Sequence, residues 1–331
     1  MTNAPPSFLI TIDTEGDNLW AGPRVIATQN ARHLPRFQRL CERYGFKPTY
    51  LTNYEMAIDG FFADFAQDAI KRGVAEVGMH LHAWNSPPIV PLTTDDFRHC
   101  PYLIEYPEAI MAEKIAFMTD LLEDTFGVKM VSHRAGRWAF NAQYARLLVE
   151  HGYRVDCSVV PGFSWRKHTG APNGAGGTDY RRYPKSHYFI DMRDVSRAGN
   201  SPLLEVPMTV LGPPLRSYLP TFAKRNLVTR ITDKFVPPYR MLRTDGTNID
   251  SLLSMIERSK RAASPYMEFM LHSSEFMAGG SPTFPDADSI ETLFRDLESL
   301  FESASQHFAG ATLGEYRQQV EAAGLVDGTK A

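Results

Sequence analysis

The sequence predicts an α/β fold: a parallel sheet with crossover helices whose strand number comes close to that of a barrel. Three observations carry the expectation. Short apolar runs recur along the 331 residues, segments of helical period lie between them, and unusual polar residues stand at the C-terminal ends of the runs. Seven runs are read as strands: residues 8–12, 48–52, 76–80, 129–132, 154–159, 203–210 and 266–271.

The elements follow in order. Phe8-Leu9-Ile10-Thr11-Ile12 comes straight after a short polar, Pro-containing start and ends on Asp13-Thr14-Glu15. Residues 31–44, 60–71, 107–126, 141–150 and 248–262 place apolar side chains three and four apart and are predicted to be amphipathic helices, with Cys41 on an apolar face. Gly45, Gly73, Gly127 and Gly152 stand where glycines in a left-handed conformation would end four helices. Trp138 and Phe140 open one of the helices onto the core. Residues 161–202, rich in Gly, Arg and Tyr, and 212–246, rich in Pro and basic residues, break the rhythm and read as insertions after strands. The aromatic and basic side chains of the first insertion suit a sugar, although a surface loop has the same composition. Helical patterns at 289–307 and 313–323 close the chain. The organisation expected is one barrel domain over residues 1–331, with C-terminal helices from about residue 285.

Composition excludes several classes of function. The 35 Lys and Arg nearly balance 38 Asp and Glu, for a net charge of −3, and no basic run occurs, so nucleic acid is not the expected partner. No stretch of about eighteen apolar residues suggests a membrane span. Cys41, Cys100 and Cys157 are odd in number and lie outside any C-x-x-C spacing, which suits reduced thiols. With no basic leader segment ahead of the first strand, a cytoplasmic protein is expected. Nothing in the sequence specifies an oligomeric state.

Polar residues cluster at one edge. The first strand ends at Asp13 and Glu15, the third at His80 and His82, the fourth at His133 and Arg134, and the seventh at His272; the fifth carries Asp156. In parallel α/β folds that edge hosts the site. Residues two apart on a strand share a face, so Asp13 and Glu15 can point at one centre, as can His80 and His82. Carboxylates with imidazoles suit zinc or another borderline divalent ion, with a position left for water. Arg134 follows an apolar strand and calls for a carboxylate partner, for which Asp13 is the candidate. His272 calls for an orienting acceptor, for which Asp156 is the candidate. Alternation turns His133 to the face opposite Arg134. Trp84 suits either a sugar ring or core packing. Glu205, in an apolar run, reads as a structural acceptor. A carboxylate base held by an arginine beside a metal-bound water, with an oriented histidine opposite, makes a hydrolytic site.

The motifs Ile10-Thr11-Ile12-Asp13-Thr14-Glu15, Glu76-Val77-Gly78-Met79-His80, Arg134-Ala135-Gly136, Gly152-Tyr153-Arg154-Val155-Asp156 and Leu271-His272 stand in an order and spacing that resemble the polysaccharide deacetylases with a NodB homology domain, carbohydrate esterase family four. Within that family, His82-Ala83-Trp84-Asn85-Ser86-Pro87-Pro88 and His272-Ser273-Ser274-Glu275 look most like the WalW-type proteins of lipopolysaccharide gene clusters. The resemblance implies a distorted (β/α)7-type barrel and a hydrolase that removes an N-acetyl, or an O-acetyl, group from a sugar of a surface polysaccharide or its precursor. It implies one divalent metal, Zn2+ first, with Co2+, Ni2+ and Mn2+ as alternatives. Asp13 would be the general base, Glu15 and His80 would bind the metal, and Arg134 would tether Asp13. Asp156 would orient His272, and His272 would protonate the leaving amine. Two departures stand out: the family has a second aspartate where Thr14 stands, and a second metal histidine where Trp84 stands. His82 either takes that histidine's place on the metal or stands behind it. A catalytically inactive glycan-binding or regulatory protein on the same scaffold is the rival expectation.

Overall fold

The computed structural model describes residues 5–212 and 239–327. Twelve strands occur there: β1 (Ser7–Thr14), β2 (Pro48–Thr52), β3 (Glu76–Leu81), β4 (Ser132–Ala135), β5 (Val155–Asp156), β6 (Tyr188–Asp191), β7 (Asp194–Ala198), β8 (Leu204–Glu205), β9 (Val210–Leu211), β10 (Arg240–Met241), β11 (Tyr266–His272) and β12 (Ala309–Ala311). The main sheet runs β11-β1-β2-β3-β4-β5-β8-β6-β7. From β11 to β8 every neighbouring pair is parallel, and these are the seven strands the sequence predicts. The sheet curls into a barrel of the distorted (β/α)7 type. Among the described residues no ladder joins β8 to β11. Single bonds bridge that gap instead: Glu268 N donates to Thr209 Oγ1 at 2.8 Å, Leu242 N to Thr209 O at 2.9 Å and Met270 N to Leu242 O at 3.3 Å.

Alternation along each strand sorts the core into two layers. Leu9, Leu51, Val155, Cys157, Leu204 and Val206 fill the barrel interior with Tyr266 and Tyr316. Phe8, Ile10, Ile12, Tyr50, Val77, Met79, Phe269 and Leu271 face outward and meet the helices. Phe8 illustrates the packing: its ring lies 4.9 Å from that of Phe46 and 6.1 Å from that of Phe301, so β1 is sealed against helix Ala287–Ser305. Burying one such side chain contributes about 2 kcal/mol.

The helices form where the apolar period predicts, with polar caps. Asp59 accepts from Phe62 N at 2.8 Å to start Gly60–Lys71, and Asn141 accepts from Tyr144 N at 2.8 Å to start Ala142–Glu150. Gly127, at φ 68°, ends Glu108–Phe126 with its N–H on Glu123 O.

Four boundaries differ from expectation. β4 begins at Ser132, where the sequence reading ended it, so Arg134 lies within the strand. The run 203–210 divides into β8 and β9, and β9 leaves the main sheet to pair with β10. The first insertion carries the antiparallel hairpin β6–β7, which extends the sheet from β8. β12, built of Ala and Gly, pairs with Ser7–Leu9 while β2 takes the rest of the same edge of β1. Most of the second insertion, residues 213–238, lies outside the described residues. Among the described residues no helix is long and apolar enough to cross a membrane.

Candidate active site

Strand register assembles the site. Asp13 stands opposite His272 on β11, and His80 stands opposite Arg134 on β4, all at the C-terminal edge. Asp13 continues the inward series of Leu9 and Thr11, and Glu15 extends it beyond the end of the strand. Thr14 turns away and donates to Ile12 O at 2.9 Å. The backbone of Glu15 is clamped on both sides: its N–H donates to Ser273 Oγ, and its carbonyl accepts from Asn30 Nδ2 at 2.9 Å. Glu55, unremarked in the sequence, ties three turns together. Its carboxylate accepts from Gly16 N at 3.0 Å, Asn53 Nδ2 at 2.6 Å and Asn85 Nδ2 at 2.8 Å.

Arg134 is fully buried and spends its guanidinium within the barrel. It donates to Asp13 Oδ1 at 2.6 Å, to Glu268 Oε1 at 2.6 Å and to Thr11 Oγ1 at 2.7 Å. The expected partnership of Arg134 with Asp13 is therefore present, and Glu268 joins it. Burial opposes ionisation of Asp13, but Arg134, His80 and His272 outweigh it and hold its pKa at about 2. Asp13 is thus a carboxylate at neutral pH. Its Oδ2 faces two imidazoles, His80 Nε2 at 3.9 Å and His272 Nε2 at 3.8 Å.

Glu15, His80 and His82 are buried, and one ligand atom from each lies within 4.8 Å of the other two. Glu15 Oε2 is 3.6 Å from His80 Nε2 and 3.5 Å from His82 Nε2. His80 Nδ1 donates to Arg134 O at 3.0 Å, which leaves the Nε2 lone pair facing Glu15, the tautomer a metal ligand needs. Among the described residues His82 Nδ1 has no partner, and burial together with the neighbouring His80 pushes the pKa of His82 well down, so its ring is neutral. For His80, burial is outweighed by Asp13 and Glu15, which raise its pKa. A buried donor set of one carboxylate and two imidazoles that draws a positive charge toward itself fits a divalent cation.

His272 is not held by Asp156. Its Nδ1 meets Glu275 Oε2 at 3.2 Å, and Glu275 is fixed in turn by Arg243 at 2.7 Å. Burial opposes its ionisation, but Arg243 and His272 hold the pKa of Glu275 at about 2. Asp156 points to the other side of the sheet, since its neighbours Val155 and Cys157 face the interior. There it accepts from His133 Nδ1 at 2.6 Å and Ser158 Oγ at 2.9 Å, while His133 Nε2 meets Tyr144 OH. Glu205, paired opposite Asp156, accepts from Val159 N, and its pKa is pushed well up by burial and by the charge of Asp156.

A cavity of about 480 Å³ opens over these groups, with Asp13, Glu15, His80, His82 and His272 at its floor. Trp84 lines it but lays one ring face on His82, centroids 4.4 Å apart. Trp138, expected in the core, lines the cavity and covers the Arg134 guanidinium at 4.7 Å. Trp20, half exposed, meets the His272 ring edge-on at 4.8 Å, and Trp165 of the first insertion completes the aromatic wall. The isolated Trp20 gave no periodic or motif signal.

No protein-family model and no curated protein matches the chain. Solved structures do. A candidate polysaccharide deacetylase from Mycobacterium smegmatis is similar over 97% of this chain and 95% of its own, at 14% identity and a TM-score of 0.51. A candidate glycoside hydrolase/deacetylase from Parabacteroides distasonis aligns with 95% of this chain and 71% of its own, at 10% identity and a TM-score of 0.56. The 4-α-glucanotransferase from Thermococcus litoralis shares the barrel at 14% identity and a TM-score of 0.52, with 95% of this chain matching 40% of that one. At these identities the likeness is one of fold.

Proposed function

We propose that the protein is a polysaccharide deacetylase-like hydrolase, a single barrel domain that cleaves the N-acetyl amide, or the corresponding O-acetyl ester, of a sugar in a glycan or glycan precursor. The observation that carries this reading is the convergence, on one cavity, of three buried ligand atoms with an arginine-held aspartate and a glutamate-held histidine. Glu15, His80 and His82 would hold the divalent cation, zinc first among the candidates. When bound, it supplies Lewis-acid polarisation of the acyl carbonyl and makes water more acidic. Asp13 Oδ2, the oxygen Arg134 leaves free, accepts a proton from the attacking water. His272, with Nδ1 on Glu275, directs Nε2 into the cavity and delivers a proton to the leaving nitrogen as the C–N bond breaks. Trp138 and the buried Arg134 keep bulk water from Asp13. A surface polysaccharide of the lipopolysaccharide kind, as for WalW-type proteins, rests on the motif resemblance.

Titrating chelator-stripped protein with zinc by calorimetry tests this. One site per chain is expected, lost in His80→Ala and in His82→Ala. Asp13→Asn is expected to keep the site while acetate release from N-acetylated oligosaccharides falls by about 10²–10⁴-fold. A chain that binds no zinc would be a glycan-binding protein on this scaffold, and full turnover by Asp13→Asn would remove the base.

A further inference from the structure

The arginines at and beneath the cavity floor are paired, and those on its wall are not. Arg134 is paired with Asp13 and Glu268, and Arg243 is taken by Glu275. Arg137 and Arg98 also line the cavity, and among the described residues neither guanidinium has a carboxylate within ion-pairing distance. The acidic side chains nearest Arg98 in sequence are already occupied. Asp95 is bound by Arg24 at 2.5 Å, and Asp96 accepts from Leu92 N, Thr93 N and Tyr106 OH.

Arg137 is built into its place. It is a non-glycine residue in the left-handed region, φ 53° and ψ 26°, followed by Trp138 at φ 61°, and such strained pairs persist only where surrounding contacts hold them. Its guanidinium lies 4.3 Å over the Tyr102 ring and donates to two neutral acceptors, Cys100 O and Thr169 O. The bond to Cys100 O brings it to the segment that carries Arg98. Five N–H donors are available and the two carbonyls take only part of them, so a planar, positively charged fork remains for a ligand. Carboxylate and phosphate oxygens match that fork; a neutral hydroxyl leaves its charge unanswered. The protein as a whole has a net charge of −3, so the positive wall is a local feature.

We infer that the sugar taken by this site carries an anionic group, a carboxylate or a phosphate, which Arg137 and Arg98 receive beside the aromatic wall while the acyl group lies over Glu15, His80 and His82. The inference rests on the deacetylase reading for the acyl group and on the arginine wall for the anion.

The test uses the full chain and three acetamido sugars that differ in one group: a neutral N-acetylglucosamine oligomer, a phosphate monoester of N-acetylglucosamine and an N-acetylated amino uronic acid. Binding is measured by calorimetry on zinc-loaded Asp13→Asn, and acetate release on the wild type. At least one anionic sugar is expected to bind tenfold or more tightly than the neutral one, and the anion that does so identifies the group. That ratio should shrink by about tenfold in Arg98→Gln, a rim substitution that breaks no side-chain bond among the described residues, and again in Arg137→Gln. It should be kept in Arg137→Lys in larger part than in Arg137→Gln. Equal binding of neutral and anionic sugars by the wild type, or a ratio unmoved by both glutamine variants, overturns the inference and leaves the deacetylase reading in place. Preferential anion binding with no acetate released from any sugar supports the anion site and overturns the deacetylase reading.

Discussion

Replacing Asp156 with Asn is expected to cost stability and not turnover. The carboxylate is buried on the outer face of the sheet with His133 and Ser158 as its donors, and loss of such a charged acceptor costs about 1.5–3 kcal/mol. Chemical denaturation should show the loss, while kcat of the folded fraction stays unchanged. Glu275 bears on both stability and turnover. With its pKa at about 2 in the folded protein against an ordinary 4.5, it contributes about 3 kcal/mol of stability above pH 4.5, which is lost as pH falls through 4.5 toward 2. Glu275→Gln should therefore flatten the acid limb of a stability-against-pH curve and also lower kcat, because His272 loses its holder. Arg134 and Asp13 were legible as partners because a guanidinium on an apolar strand has few ways to be satisfied. Alternation separates His133 from Arg134 and, followed one strand further, turns Asp156 outward as well, away from His272. Glu275 was visible as a residue three positions past His272. Its role depends on the tight turn Ser273–Phe276, which folds the carboxylate back onto the imidazole.

At the scale of elements, the close approach of β3 to the turn after β4 positions the candidate metal ligands. Gly136 has no room for a side chain: a Cβ there would lie 2.3 Å from Leu81 O and 2.6 Å from His82 Cδ2. Gly136→Ala must push the end of β3 and His82 aside. A fall in zinc affinity of tenfold or more is expected by calorimetry, with about 1–3 kcal/mol lost in thermal unfolding. A variant with unchanged affinity would mean that His82 is not a ligand. The long strands and helices were readable because each carries a complete period of apolar residues. β6 and β7 were not, since Tyr188–Asp191 alternates over only four residues inside a polar segment. Ala309–Ala311 offers two methyl groups and a glycine, and becomes a strand only because β1 leaves half an edge open to it.

For the whole molecule, the barrel is weakest where single bonds replace a ladder. The amides of Leu242 and Glu268, bonded to Thr209, should exchange hydrogen faster by orders of magnitude than those of Ile10 and Ile12 in mid-sheet. Equal protection would show a continuous seam. The barrel class was legible from seven apolar runs and one polar edge, but its closure was not, because Thr209 and Leu242 belong to no periodic segment. The outline of the barrel is shared with a glucanotransferase, so the fold does not choose the chemistry and the site has to decide. The placing of β1 bears on biosynthesis. One edge of β1 pairs with β11 and part of the other with β12, both far along the chain from it, and Glu15 is clamped by a serine 258 positions later. On the ribosome β2 can cover Ile10–Thr14 early, but the other edge of β1 stays open until β11 has emerged, so no shorter nascent chain holds the complete candidate site. A product terminated before β11 would present an open edge of this apolar strand for pairing with other chains, a hazard set by the topology.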